Sequence, residues 1–234
     1  MSALPQVLVV DDEASIRALL AGALRGAGYA VDEAGDARTA IAAHHAGGHA
    51  LVLLDLGLPD RDGLELVPLL KRAGAAVVVV SARDAVAEKV AALDLGADDY
   101  VTKPFDPAEV LARVRTALRH RVAPAAATSV VHFARECAID LVARRVTRGG
   151  EEVHLAPKEY ALLALLAAHS GKVLTHAQLL REIWGPGHED DVEYLRVAAR
   201  GIRRKLEDAG QGQSALRNEP GVGYRLAVQD KLSP

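Results

Sequence analysis

The sequence predicts two units in series: a doubly wound α/β domain on a five-stranded parallel sheet, then a smaller α+β domain. Three observations carry this. In the first half, apolar runs of strand length alternate with helix-length amphipathic stretches, the pattern of parallel strands buried on both faces. The second half has short alternating runs, three helical stretches and a Gly-rich hairpin. Between them lies an Ala/Pro/Ser/Thr segment without apolar periodicity. With 234 residues the chain has room for about two domains, each with its own core.

The first strand, Val7-Leu8-Val9-Val10, runs into Asp11-Asp12. Asp36 opens a helical stretch from Ala37 to Ala46, and Leu51-Val52-Leu53-Leu54 stops at Asp55. Gly74 and Gly96 sit where helices should end. Val77-Val78-Val79-Val80 stops at Ser81, and the shorter Tyr100-Val101-Thr102 at Lys103-Pro104. Asp106-Pro107-Ala108-Glu109 places an N-cap, a first-turn proline and a capping-box glutamate ahead of a helix from Pro107 to Arg119. Strand and helix alternate five times, the doubly wound pattern. Arg121 to Ser129 reads as a linker, which gives a first domain over 1–120, a linker over 121–129 and a second domain over 130–229.

In such a sheet the carboxyl ends of the strands share one edge, where ligands bind. That edge collects Asp11, Asp12, Asp55, Ser81 and Lys103. Each has a plainer reading alone: Asp55 a cap or turn residue, Ser81 a helix N-cap, Lys103-Pro104 a loop before a helix. Together, at successive strand ends, they suit phosphoryl chemistry. A carboxylate can attack phosphorus, Mg2+ favours carboxylate and phosphate oxygens, and an ammonium neutralises the transferred group.

This order of residues resembles the receiver domain of two-component response regulators, of flavodoxin/CheY-like fold. The resemblance implies that Asp55 accepts a phosphoryl group from a sensor histidine kinase, with Asp11, Asp12 and Asp55 holding Mg2+. It also implies that Ser81 and Tyr100 are switch residues, and that Lys103, cis-bonded to Pro104, pairs with phosphoryl oxygens. Lys89, Asp98, Asp99, Glu109 and Arg113 put opposite charges on a helix, a strand and a helix that lie side by side. An ordinary solvated surface would look the same. In regulators of the OmpR/PhoB type, positions matching Lys89, Asp98, Glu109 and Arg113 pair across a homodimer interface formed on phosphorylation.

The second half opens with Val130-Val131-His132-Phe133 and continues to Glu152-Val153-His154-Leu155, read as small antiparallel strands with a turn at Arg148-Gly149-Gly150. Helices are expected over Pro157 to Ala168, Thr175 to Ile183 and Asp191 to Asp208. Thr175 with Gln178 has capping-box spacing. In the last helix Leu195, Ala199, Ile202 and Leu206 form one stripe, and Arg196, Arg200, Arg203 and Arg204 an adjoining basic face suited to phosphates or guanine edges. The hairpin Arg217 to Leu226 closes the pattern. The whole resembles the winged-helix DNA-binding domain of the OmpR/PhoB family. Asp55-Leu56-Gly57-Leu58-Pro59-Asp60, Gly171-Lys172-Val173-Leu174-Thr175 and Ile183-Trp184-Gly185-Pro186 are similar to the branch that regulates the Kdp potassium-transport operon. By that likeness Trp184 and the Gly185 to Asp190 loop lie near RNA polymerase.

The chain departs from the branch at Arg200-Gly201, where Gly followed by Gln or His is usual, at Pro220, where many wings carry Arg, and at Ala156, where relatives have Thr or Ser. Wing contacts are then expected from Arg217 or Arg225.

Composition fits this reading. Residues 1–120 carry 12 basic and 17 acidic side chains, a balance of −5; residues 121–234 carry 16 and 14, a balance of +2. An acidic signalling half joined to a mildly basic binding half is consistent with DNA as a partner. The single Cys137 excludes an internal disulfide. No apolar run is long enough for a membrane span and no leader peptide is evident, so a cytoplasmic protein is expected. The expected function is phosphorylation-controlled transcription by a phosphoacceptor that is not an enzyme, with at most slow self-dephosphorylation. A regulator of another regulon is the first alternative. An aspartyl-phosphate hydrolase is the second, but haloacid-dehalogenase-type enzymes need an Asp where this chain has Gly57.

Overall fold

The structure, a computed structural model, describes residues 4–122, 130–134, 136–207 and 214–227. The chain forms two compact units, over 1–122 and 123–234.

In the first unit β1 (Gln6–Val10), α1 (Ala14–Gly26), β2 (Ala30–Ala34), α2 (Ala37–Gly47) and β3 (Leu51–Leu54) are followed by α3 (Leu66–Arg72), β4 (Ala76–Ser81), α4 (Val86–Asp94), β5 (Asp99–Thr102) and α5 (Pro107–Val122). The sheet order is β2-β1-β3-β4-β5, with every neighbouring pair parallel. Alternate residues of the central strands feed two cores. Leu8, Val10, Val52, Leu54, Val77 and Val79 pack with Ala40 of α2, Leu66, Val67 and Leu70 of α3 and Ala92 of α4. Val7, Val9, Leu51, Leu53, Val78 and Val80 pack on the other face with Leu20 and Leu24 of α1 and Val110 and Val114 of α5. Burial on both faces explains why these strands read as unbroken apolar runs.

Local signals act as their chemistry dictates. Asp36 caps α2, its side chain accepting from Thr39 N at 2.7 Å. Gly74 and Gly96 take φ of 87° and 106° after their helices. Asp106 Oδ1 accepts from Ala108 N at 2.8 Å, while Glu109 turns to Arg113 at 3.1 Å instead of completing the box. Helix α5 runs on to Val122, past the expected end at Arg119; the rest of the expected linker, 123–129, lies outside the described residues.

The second unit begins with an antiparallel sheet of β6 (Val130–Phe133), β7 (Cys137–Asp140), β8 (Arg145–Arg148) and β9 (Glu151–Glu152). Helix α6 (Pro157–Ala168), β10 (Val173–Thr175), α7 (His176–Trp184), α8 (Val192–Leu206), β11 (Leu216–Glu219) and β12 (Gly223–Leu226) follow. The second sheet has the order β10-β12-β11, adding a short strand that no sequence signal announced. Thr175 and Gln178 form the reciprocal cap of α7, with side chain to backbone distances of 3.2 and 3.0 Å. Leu162, Leu166, Leu179, Leu195, Ile202 and Leu206 share one core, so the apolar stripe of α8 is its buried face. Asp208 and residues 228–229, expected within the last helix and the second domain, lie outside the described residues.

Gly63, in a single 3-10 turn over Gly63–Glu65, is fixed by packing. A methyl group there would overlap the Asp55 carbonyl oxygen and lie 2.7 Å from Leu56 Cα. Because both obstacles are backbone, Gly63→Ala should destabilise the first unit by about 1–3 kcal/mol. Urea unfolding followed by circular dichroism checks this; an unchanged midpoint would contradict the tight packing.

Candidate functional site

The carboxyl ends of β1, β3, β4 and β5 bring Asp11, Asp12, Asp55, Ser81 and Lys103 to one edge of the sheet. Lys103 Nζ lies 2.7 Å from Asp11 Oδ2 and 2.8 Å from Asp55 Oδ2. One ammonium thus serves two carboxylates that are almost entirely buried. Carboxylate oxygens of Asp11, Asp12 and Asp55 lie within 4.8 Å of one another, and Asp12 is exposed. This all-oxygen set, open on the Asp12 side, fits a hard divalent cation.

The two buried acids differ. Burial pushes the Asp11 carboxyl up, and hydrogen bonds from Lys103 and the Glu13 amide only partly offset it. At Asp55 burial also pushes up, but hydrogen bonds from Lys103 and Ser81 outweigh it and hold the carboxyl below its usual range. Asp55 is therefore the more acidic of the two buried carboxyls. Its Oδ1 accepts from Leu56 N at 2.6 Å, which fixes the side-chain angle. The Lys103-Pro104 peptide is cis.

Tyr100 stands beside this pocket. Its hydroxyl donates to Arg83 O at 2.5 Å, and burial raises its pKa to about 12. The Ser81 hydroxyl, which accepts from Arg83 N at 3.5 Å, helps to lower the pKa of both Asp55 and Tyr100.

In the second unit a concave surface is lined by Arg196, Arg200, Arg203 and Arg204 of α8, His176 of α7, and Asn218 and Tyr224 of the β11–β12 hairpin. Four guanidinium groups along one helix beside a hairpin suit a phosphate backbone and a groove.

The profile of the response regulator receiver domain matches residues 7–115, and that of the transcriptional regulatory protein C-terminal domain matches residues 150–226. The chain is 44% identical over 223 residues to the KDP operon transcriptional regulatory protein KdpE of Escherichia coli, covering 95% of this chain and 99% of that protein. It is 42% identical to KdpE of Mycobacterium tuberculosis, over 94% of this chain and 98% of that one. Among solved structures it is similar to the response regulator DrrB, a Thermotoga maritima OmpR/PhoB homologue, with TM-score 0.51, 28% identity and coverage of 96% and 100%. The chain belongs to the OmpR/PhoB-type response regulators. The family consists of transcriptional regulators with a receiver domain, which implies a histidine kinase as phosphodonor, and a DNA-binding domain.

Not every expected site residue of this response regulator lies on an open surface. Arg113 meets Asp99 at 3.3 Å and Glu109 at 3.1 Å within the same chain. Asp98 is buried, bound to Lys71 Nζ at 2.6 Å and Val77 N at 2.8 Å, so Asp99 is the acid beside Arg113. Lys89 is half-exposed on α4. Arg225 is also buried, bonded to Glu219 at 3.1 Å and Gly171 O at 3.1 Å. Arg203 donates to Leu216 O at 2.6 Å. Arg225 thus holds the fold, Arg203 is tied to β11 while also lining the concavity, and Arg217 is exposed on β11.

Sequence reading missed two arginines. Arg17 braces the acidic loop by donating to Asp11 O at 2.7 Å and Asp12 O at 3.0 Å. Arg83 joins the loop after β4 to the loop after β3 through Asp62 at 3.0 Å and Leu56 O at 3.3 Å. Neither is announced by spacing, because each bridges segments distant in sequence or meets only backbone oxygens. No helix among the described residues is long and apolar enough to cross a membrane.

Without Lys103, Asp55 would keep its burial and its neighbour Asp11 but lose its main donor. In Lys103→Met the Asp55 carboxyl should therefore titrate above the usual carboxylate value of about 3.9. Carbon-13 NMR titration of the aspartate carboxyls checks this; a titration still below that value would contradict the role given to Lys103.

Proposed function

We propose that the protein is a transcription factor switched by phosphorylation of Asp55, controlling a potassium-transport operon of the Kdp type. The observation that carries it is the ion-pair pocket, with Asp55 held ionised against Lys103 and beside Asp11 and Asp12. The operon assignment rests on the KdpE relatives.

In the proposed step an Asp55 carboxylate oxygen attacks phosphorus of a phosphohistidine on the partner kinase. The P–O bond forms, the P–N bond breaks, and the leaving imidazole takes a proton. Asp11, Asp12 and Asp55 would hold Mg2+, which supplies positive charge to the phosphoryl oxygens. Lys103 is released from its carboxylate partner to the transferred group, whose added charge it neutralises. Ser81 then bonds a phosphoryl oxygen, and Tyr100, already bonded to Arg83 O, follows it inward. Phosphoryl loss is slow self-hydrolysis, without turnover of a separate substrate.

Dimerisation follows on α4, β5 and α5. Pairs across a two-fold axis form from Lys89, Asp99, Glu109 and Arg113. Arg113 gives up its in-chain pair with the exposed Glu109 at little cost, whereas its pair with the buried Asp99 costs more to open. Asp98 supports this face from inside, through Lys71 and Val77 N. Two second units then reach half-sites about one helical turn apart, with Arg196, Arg200, Arg204 and Arg217 as the DNA contacts. Trp184 and the Gly185 to Asp190 loop form the surface offered to RNA polymerase. On this reading the protein works in the cytoplasm.

Selection of genomic fragments by the full-length chain, with Mg2+ and beryllofluoride, should enrich a direct repeat upstream of potassium-transport genes. Asp55→Asn should lose that enrichment together with beryllofluoride-dependent dimerisation. Enrichment elsewhere would overturn the operon assignment, and an Asp55→Asn variant that responds like wild type would overturn the switch.

A further inference from the structure

Glu207 is an acidic side chain in a place where general electrostatics disfavours one. It lines the same concavity as Arg196, Arg200 and Arg204, the surface assigned above to a polyanion. It is also the C-cap residue of α8, where the helix dipole disfavours a negative charge. What holds it there is a set of donors seven to nine residues further along the chain. Its Oε1 accepts from Ser214 Oγ at 2.7 Å, Ala215 N at 3.0 Å and Leu216 N at 3.3 Å. These residues lead into β11, and Leu216 is buried in the core.

Arg203, one turn earlier on α8, grips the same segment through different atoms. Its Nη2 donates to Leu216 O at 2.6 Å and its Nε to Ser214 Oγ at 3.3 Å. The carboxylate takes the amide protons of the segment and the guanidinium takes its carbonyl. The register of β11 against β12 then carries Arg217 and Asn218 opposite Arg225 and Tyr224. The hairpin is thus fixed to α8 at its root by one acid and one base.

We infer that Glu207, with Arg203, is a positioning residue that sets the hairpin against the recognition helix, so that this carboxylate on the DNA-facing surface strengthens DNA binding. The inference rests on the reading that α8 and the hairpin meet DNA. It opposes simple electrostatics, in which removing a carboxylate from a surface that meets phosphates tightens binding.

The test uses the full-length chain and a short duplex recovered by the wild type from a randomised pool, with anisotropy measured over a salt series. Glu207→Ala should bind about tenfold more weakly, because the segment's donors lose their charged acceptor. Glu207→Gln, which keeps an acceptor oxygen without the charge, should fall between Ala and wild type. Hydrogen exchange should quicken at the Ala215 and Leu216 amides while those of Leu179 and Leu195 stay protected. Equal or tighter binding by Glu207→Gln overturns the inference even if the Ala variant fails to fold. Arg200→Ala reports on the underlying reading separately: it should weaken binding and lower the salt slope by about one. No effect of Arg200→Ala would overturn the DNA-facing assignment and the inference with it.

Discussion

Two buried carboxylates and one ammonium at the end of a parallel sheet set the terms for the whole receiver unit. Asp11, Asp55 and Lys103 come from the ends of β1, β3 and β5, so the pocket exists only when these strands are in register. Taking such charges out of water is costly unless they are paired and hydrogen-bonded. Lys103 spans the two acids, Leu56 N donates to Asp55 Oδ1, and Arg17 holds the backbone carbonyls of the acidic loop. With Asp12, three carboxylates of the pocket face the single Lys103 ammonium. In the proposed mechanism a cation answers that excess and the incoming phosphoryl group competes for Lys103. The proposed switch is then a rearrangement of charges the fold has already desolvated.

A similar economy shapes the DNA-binding unit. Glu159 accepts from Ala156 N at 2.7 Å and meets Lys205 at 2.6 Å, tying the start of α6 to the last turn of α8. With Ala156 offering no side-chain oxygen, Glu159 supplies the available half of the cap. A methyl group at Gly201 would overlap the Glu159 carboxylate. The glycine that weakens α8 by about 1 kcal/mol relative to alanine is the residue that lets the two helices close on this acid. Arg203 and Glu207, which line the concave face together with Arg196, Arg200 and Arg204, also anchor the hairpin.

Much of this was legible in the chain because burial is two-sided. The buried runs 7–10 of β1, 51–54 of β3 and 76–80 of β4 are apolar, and each stops at the polar residue that enters the pocket. Strand β2 reads Ala-Val-Asp-Glu-Ala, lies at the sheet edge and exposes its two acids, so no apolar run marks it. Strand β10 is three residues long and is defined by pairing with β12. The apolar stripe of α8 fixed its buried face, yet helical periodicity alone could not show that Arg203 folds back on Leu216. Nor could alternation show that Arg225 points into the protein. Partners for Arg17 and Arg83 depend on loop paths, which residue periodicity does not encode.

The central claim is that Asp55 is the carboxylate made ready to accept a phosphoryl group. The direct measurement is mass spectrometry of the full-length chain after incubation with acetyl phosphate and Mg2+, with the acyl phosphate trapped by borohydride before digestion. One modification should appear, on the peptide containing Asp55, and should be lost when Mg2+ is chelated. Modification at Asp11 or Asp12 instead, or no modification of the folded chain, would contradict the account.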